Sequence, residues 1–170
     1  MYGLRGGLTG WGDNINQMLD SDSVLKHLDS GSGQFKIGKA NIVRGGENAT
    51  IITYGAMVHV ALKAAQILAA DGIEIEIVDL RTILPFDAAT CVQSVKKTGR
   101  FIVLQEAQYT GGFGHTISSR IQEEAFYHLE APPIVVGALD TPVPFSPTLE
   151  DHNIPDVDLV IQHLRNICSN

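Results

Sequence analysis

The run YTGGFG at 109–114 has the first claim to chemistry in this chain. Glycines just before a helix let backbone amides, and the positive end of the helix, face an anion such as a phosphate. The run lacks the Lys-Ser/Thr of a P-loop and the spacing of a GxGxxG fingerprint, so the residues point to a tight strand-to-helix turn. His59 and His115 each fall just beyond the end of an expected strand, where open α/β sheets bind ligands, and are the two histidines with a catalytic claim. Glu106 in RFIVLQEA and Asp79 in VDL are carboxylates at strand ends that could serve as general acid or base. The competing reading makes them turn caps, or partners of Arg81 and Arg100, and it is preferred. The six histidines form no HxxxH or HxH pair on one helix face, so no metal site is expected. Cys91 and Cys168 stand far apart in apolar helical surroundings and read as buried free thiols. No GxSxG elbow is present.

These groups must be held by a scaffold, and the chain has room for one. It has 170 residues, 44% of them hydrophobic and 18% charged, which suits a single core. The net charge of −7 opposes binding to nucleic acid or to an anionic membrane. No apolar run approaches the roughly 20 residues that span a bilayer, and the first twelve residues lack a signal-peptide core. A soluble, non-exported protein is expected.

Residues 1–33 are Gly-rich at both ends, with a weak amphipathic stretch around Ile15, Met18, Leu19, Leu25 and Leu28, and read as a linker or appendage. From residue 34 to 170, strands alternate with helices. KIGKANIV and ATIITY, separated by RGGEN, suggest two neighbouring strands. Val58, Ala61, Leu62, Ala65, Leu68 and Ala69 recur at helical spacing, and Asp71-Gly72 supplies the stop. IEIEIVDL at 73–80 reads as a strand more exposed at one end. Asp87 caps a helix carrying Ala88, Cys91, Val92 and Val95. RFIVLQEA at 100–107 is a strand, and a helix then runs through Ile117, Ile121, Ala125 and Leu129. PIVVGAL at 133–139 is the last strand. The proline-rich DTPVPFSP leads from it to a helix with the stripe Val157, Val160, Ile161, Leu164, Ile167 and Cys168, with Pro155 in its first turn. The expected fold is three-layer α/β: a mostly parallel sheet with helices on both faces, joined by right-handed crossovers.

Seven segments in order carry a family resemblance: IGKANIVRGG, ITYGAMVHVAL, DGIEIEIVDLRTILPFD, SVKKTGRFIVLQEA, TGGFG, IQEEAFYHLEAPP and DTPVPFSPTLED. Together they resemble the carboxy-terminal, transketolase-like domain of the beta subunit of thiamine-diphosphate-dependent 2-oxo acid dehydrogenases, the pyruvate, branched-chain and acetoin enzymes. MYGLRGG looks like the end of the family's preceding domain. The segment LTGWGDNINQMLDSDSVLKHLDSGSG then replaces a much shorter link to IGKA.

The resemblance implies a role in a heterotetramer of two alpha and two beta subunits within a multienzyme complex. That complex decarboxylates a 2-oxo acid oxidatively and passes the acyl group to lipoamide; pyruvate or acetoin is favoured over branched-chain acids. In this family thiamine diphosphate, with magnesium, binds between the alpha subunit and the amino-terminal domain of beta, and the activating glutamate lies in that domain. No catalytic, cofactor-binding or metal residue is therefore carried over to this chain. The implied role is assembly: association with the alpha subunit and a second beta subunit, and docking of the basic subunit-binding domain of the lipoyl acyltransferase. Glu130, in LEAPP, and Asn170, through its terminal carboxylate, are the docking residues so implied, against an ordinary solvated acid and a frayed end. The family's compartment is the bacterial cytoplasm or the mitochondrial matrix. Two rival readings are a stand-alone, non-catalytic binding or regulatory module of the same fold, and a small nucleotide-binding protein using the TGGFG loop.

Overall fold

The computed structural model describes residues 37–169. The expected linker at 1–33 and the expected docking residue Asn170 lie outside the described residues.

Five strands form one sheet: β1 (Asn41–Arg44), β2 (Ala49–Thr53), β3 (Ile75–Asp79), β4 (Phe101–Gln108) and β5 (Ile134–Ala138). Their spatial order is β1-β3-β2-β4-β5. All pairs are parallel except β1 with β3. β1 and β2 were expected as neighbours, but β3 lies between them. The reason is the crossover helix α1 (Met57–Ala70), which returns the chain to pair β3 parallel to β2 and leaves only the outer edge of β3 for β1.

Side-chain alternation divides the core into two layers. Ala49 and Ile51, Ile75 and Ile77, and Ile102 and Leu104 face α1 and α5 (Val157–Cys168). Ile52, Val78, Phe101 and Val103 face α2 (Ala88–Thr98) and α3 (Gly114–Ala125). Covered on both faces, β2 reads as an unbroken buried run. Its Thr50 hydroxyl lies 2.8 Å from that of Thr98, so even the polar residue is satisfied under α2.

Local chemistry sets the helix ends. Asp87 accepts a hydrogen bond from the Thr90 amide at the start of α2, as its sequence position implies. Gly99 closes that helix in the left-handed region at φ 71°. Asp156 caps α5 by accepting from the Leu159 amide at 2.8 Å, so Pro155 precedes the cap instead of entering the first turn. α3 ends at Ala125 and tightens into a 3-10 turn over Phe126–His128, short of the expected Leu129. The proline-rich stretch also hides a short helix, α4 (Pro147–Asn153), which begins on the proline that had suggested a loop. Cys91 is buried as expected, whereas Cys168 is only half-buried at the end of α5. Among the described residues no helix is long and apolar enough to cross a membrane.

The chain leaves β2 through α1 toward β3, and leaves β4 through α3 toward β5, on opposite faces. The connections diverge between the carboxyl ends of β2 and β4, where a sheet of this type opens a crevice.

Candidate functional site

The carboxyl ends of the strands bring most of the sequence candidates to one rim, and a residue missed in the sequence organises it. Gln105 of β4 is completely buried. Its side-chain oxygen accepts the Gly114 amide at 2.6 Å, and its side-chain nitrogen donates to the Gln108 carbonyl at 2.9 Å. The Tyr54 hydroxyl reaches the same oxygen at 3.4 Å. A Cβ at Gly112 would sit 2.0 Å from the Gln105 nitrogen, and one at Gly114 would sit 2.7 Å from its oxygen. The TGGFG glycines thus make room for a glutamine of the protein, and the amide at the front of α3 is already engaged. The available signal was an amide side chain directly after the apolar run Phe101–Leu104, six residues before a glycine pair.

The other candidates are separate. Asp79 accepts the Arg81 amide at 3.0 Å and lies 4.0 Å from its guanidinium, the turn-capping arrangement preferred from the sequence. Arg81 adopts φ 58°, a left-handed conformation in which a non-glycine residue is strained. Glu106 is half-buried; burial, and then its negative charge, push the Tyr54 phenol above its usual value. His59 is exposed on α1, and His115 is exposed at the start of α3 with its ring edge-on to Tyr109 at 4.7 Å. Among the described residues no hydrogen bond or ion pair joins any two of His59, His115, Glu106 and Asp79, and no group of three His, Cys, Asp or Glu could hold a metal ion. Burial, and then the charge of Asp87, push the Cys91 thiol up to about 12, so it stays protonated.

Beyond β4 and β5 the rim is tied together by Asp140. Its carboxylate accepts the Thr110 hydroxyl at 2.7 Å and the Thr110 amide at 2.8 Å, which holds it below the usual carboxylate range. Gln108 donates to the Thr141 carbonyl at 2.7 Å.

Glu130 lies at the other end of the sheet, beside the start of β4. Its carboxylate meets the Arg100 guanidinium at 2.9 Å and its amide donates to the Gly99 carbonyl at 2.8 Å. A Cβ at Gly99 would come within 2.9 Å of the Glu130 side chain, so this acid is folded over the helix end. The Glu130 side chain stays 60% exposed and borders a groove of about 560 Å3 lined by Phe126, Tyr127, Leu129, Pro132 and Pro133. Phe126 and Tyr127 pack edge-on at 5.4 Å, and Tyr127 is 96% exposed.

Residues 38–160 match the family model described as the transketolase C-terminal domain. The chain is 41% identical over 159 residues to the pyruvate dehydrogenase E1 component subunit beta of Rickettsia bellii, covering 92% of this chain and 49% of that protein. It is 50% identical over 125 residues to the acetoin:2,6-dichlorophenolindophenol oxidoreductase subunit beta of Cupriavidus necator, covering 74% and 37%. A solved split-gene transketolase, described as an inactive beta4 tetramer, superposes with a TM-score of 0.65 at 25% identity, over 84% of this chain and 45% of that one. The chain therefore spans half or less of the length of these relatives. The match over residues 38–160, the doubly wound sheet and the beta-subunit relatives agree, and the chain belongs to the transketolase C-terminal domain family.

Proposed function

We propose that this chain acts as the assembly domain of the beta subunit of a 2-oxo acid dehydrogenase first component, joining the alpha subunit and a second beta subunit and docking the acyltransferase core, without catalysing a reaction alone. The observation that carries this reading is the groove beside Glu130. Two exposed aromatic rings, two prolines and a half-free carboxylate form a surface that water covers poorly and that a basic, partly apolar domain would cover well. Exposed aromatic residues dominate binding energy when a partner desolvates them, while the rim acid orients the encounter. The beta-subunit names of the relatives and the tetrameric state of the split-gene transketolase support association as the role of such chains.

Thiamine diphosphate, which the family implies, does not fit the described residues. A diphosphate with its divalent ion needs convergent oxygen ligands and free amides. The described residues form no three-ligand group, and Gln105 occupies the Gly114 amide of the glycine loop. The cofactor belongs, on this reading, to the alpha subunit and the other domain of beta, so this chain performs none of its chemical steps.

The test is the affinity of the full chain for the subunit-binding domain of a lipoyl acyltransferase. Replacing both Phe126 and Tyr127 by Ala is expected to weaken binding by at least tenfold. An unchanged affinity removes the groove from the interface.

A further inference from the structure

Among the described residues that line the groove, Glu130 is the one that carries a charge. That charge is already matched inside the chain, because its carboxylate meets the Arg100 guanidinium at 2.9 Å. The cation is firmly held. Arg100 immediately precedes β4, its side chain is 21% exposed, and its carbonyl accepts the Thr50 amide at 2.8 Å and the Thr98 hydroxyl at 3.1 Å.

Glu130 is placed without help from this guanidinium. Its amide is tied to the Gly99 carbonyl, and its side-chain carbons lie where a Cβ of Gly99 would stand. Gly99, in the left-handed region at φ 71°, therefore serves two ends: it closes α2 and leaves room for the acid. With the acid located by Gly99, what Arg100 adds to the groove is its charge.

A carboxylate beside a fixed cation presents a weakened field to a second cation, since the two charges of the pair act on it with opposite sign. A partner's Lys or Arg gains at Glu130 only the difference between its own pairing and the pairing it disturbs. A partner without a cation at that point leaves the internal pair closed and gains nothing there.

We infer that Arg100 is a built-in rival for the charge that docks on Glu130, and that it holds the affinity of the groove for a basic partner below what the acid alone would give. This rests on the assembly reading above and adds how that site is regulated. The aromatic pair supplies contact area, and Arg100 acts through Glu130 to set the electrostatic part.

The test is calorimetric titration of the full chain with the subunit-binding domain of a lipoyl acyltransferase, at low and at physiological salt. Arg100→Gln removes the charge and keeps an amide donor. It is expected to bind roughly threefold tighter than wild type at low salt, with the gain shrinking as salt rises. Arg100→Lys keeps the charge and is expected to bind as wild type does. The gain is expected to vanish when Arg100→Gln is combined with Glu130→Gln, which separates rivalry for the carboxylate from plain repulsion of the partner. A second measurement needs no variant at position 100: the side-chain N–H resonance of Arg100 in the wild-type chain is expected to shift on saturation with the partner.

Binding by Arg100→Gln no tighter than wild type at low salt overturns this inference. So does a gain that survives Glu130→Gln, or an Arg100 resonance that stays in place at saturation. In each of these cases the assembly reading stands if Phe126→Ala combined with Tyr127→Ala still weakens binding. Absence of binding by the wild-type chain, or an aromatic double variant with wild-type affinity, overturns the groove as the docking site and this inference with it.

Discussion

The side-chain oxygen of Gln105 accepts the backbone amide of Gly114 at 2.6 Å, across the turn that joins β4 to α3. One buried amide thereby does for the start of α3 what a bound anion does in a phosphate-binding loop.

Gln105→Leu leaves the Gly114 amide and the Gln108 carbonyl without their buried partner. At about 1–3 kcal/mol for each unsatisfied group, the variant is expected to lose roughly 2–6 kcal/mol in urea unfolding. Gly114→Ala, with its Cβ pressed against Gln105 and Val135, is expected to lose about 1–3 kcal/mol by overpacking. A loss below about 0.5 kcal/mol in both would show that the clamp does not hold the loop.

Asp87→Ala removes the cap of α2 and the acceptor for the Ala40 amide, and is expected to cost about 1–2 kcal/mol. Burial alone would raise the Asp87 carboxyl. Hydrogen bonds from the Thr90 hydroxyl and amide and from Ala40, with the charge of Lys39, lower it below its usual value. A carboxyl depressed in the folded state contributes stability that is present above the unfolded value, about 3.9, and is lost as pH falls through the folded value. Unfolding free energies measured down this acid range should fall less steeply for Asp87→Asn than for the wild type.

Lys97 pairs with Glu76, whose side chain is only 2% exposed in the sheet. Lys97→Ala strands that carboxylate and is expected to cost about 1–3 kcal/mol, below the usual figure for a buried pair because Lys97 itself is half in water. Glu76→Leu combined with Lys97→Ala should recover most of that loss. A double variant no more stable than Lys97→Ala would mean that the stranded charge is not the cause.

Much of this organisation was legible before the structure. The strands ATIIT and FIVLQEA are bounded by turn residues, α1 stops at Asp71-Gly72, and α2 starts at Asp87, because periodicity and caps are local properties. The order of β1 and β2 was not legible, since strand neighbours depend on crossovers that no local pattern records. Nor was α4, because its Pro147 fits a loop and a helix start equally well. The candidate rim was only partly legible: Asp79 and Glu106 stood out as charges at strand ends, while Gln105 acts through a contact nine residues away. Exposed aromatics such as Tyr127 and Phe145 are invisible as a class, because exposure is a property of the fold.

Glu130→Lys reverses the charge beside the Phe126–Tyr127 groove and sets two cations together at Arg100. Binding of a basic subunit-binding domain is expected to weaken severalfold at low salt and much less at physiological salt, where charges are screened within about 8 Å. Equal affinity of variant and wild type at low salt would take Glu130 out of the interface.

The most direct test of the assembly reading is calorimetric titration of the full chain with a subunit-binding domain and, separately, with thiamine diphosphate plus magnesium. The account predicts saturable heat with the first and none with the second. Tight binding of thiamine diphosphate, or no binding of the subunit-binding domain, would contradict it.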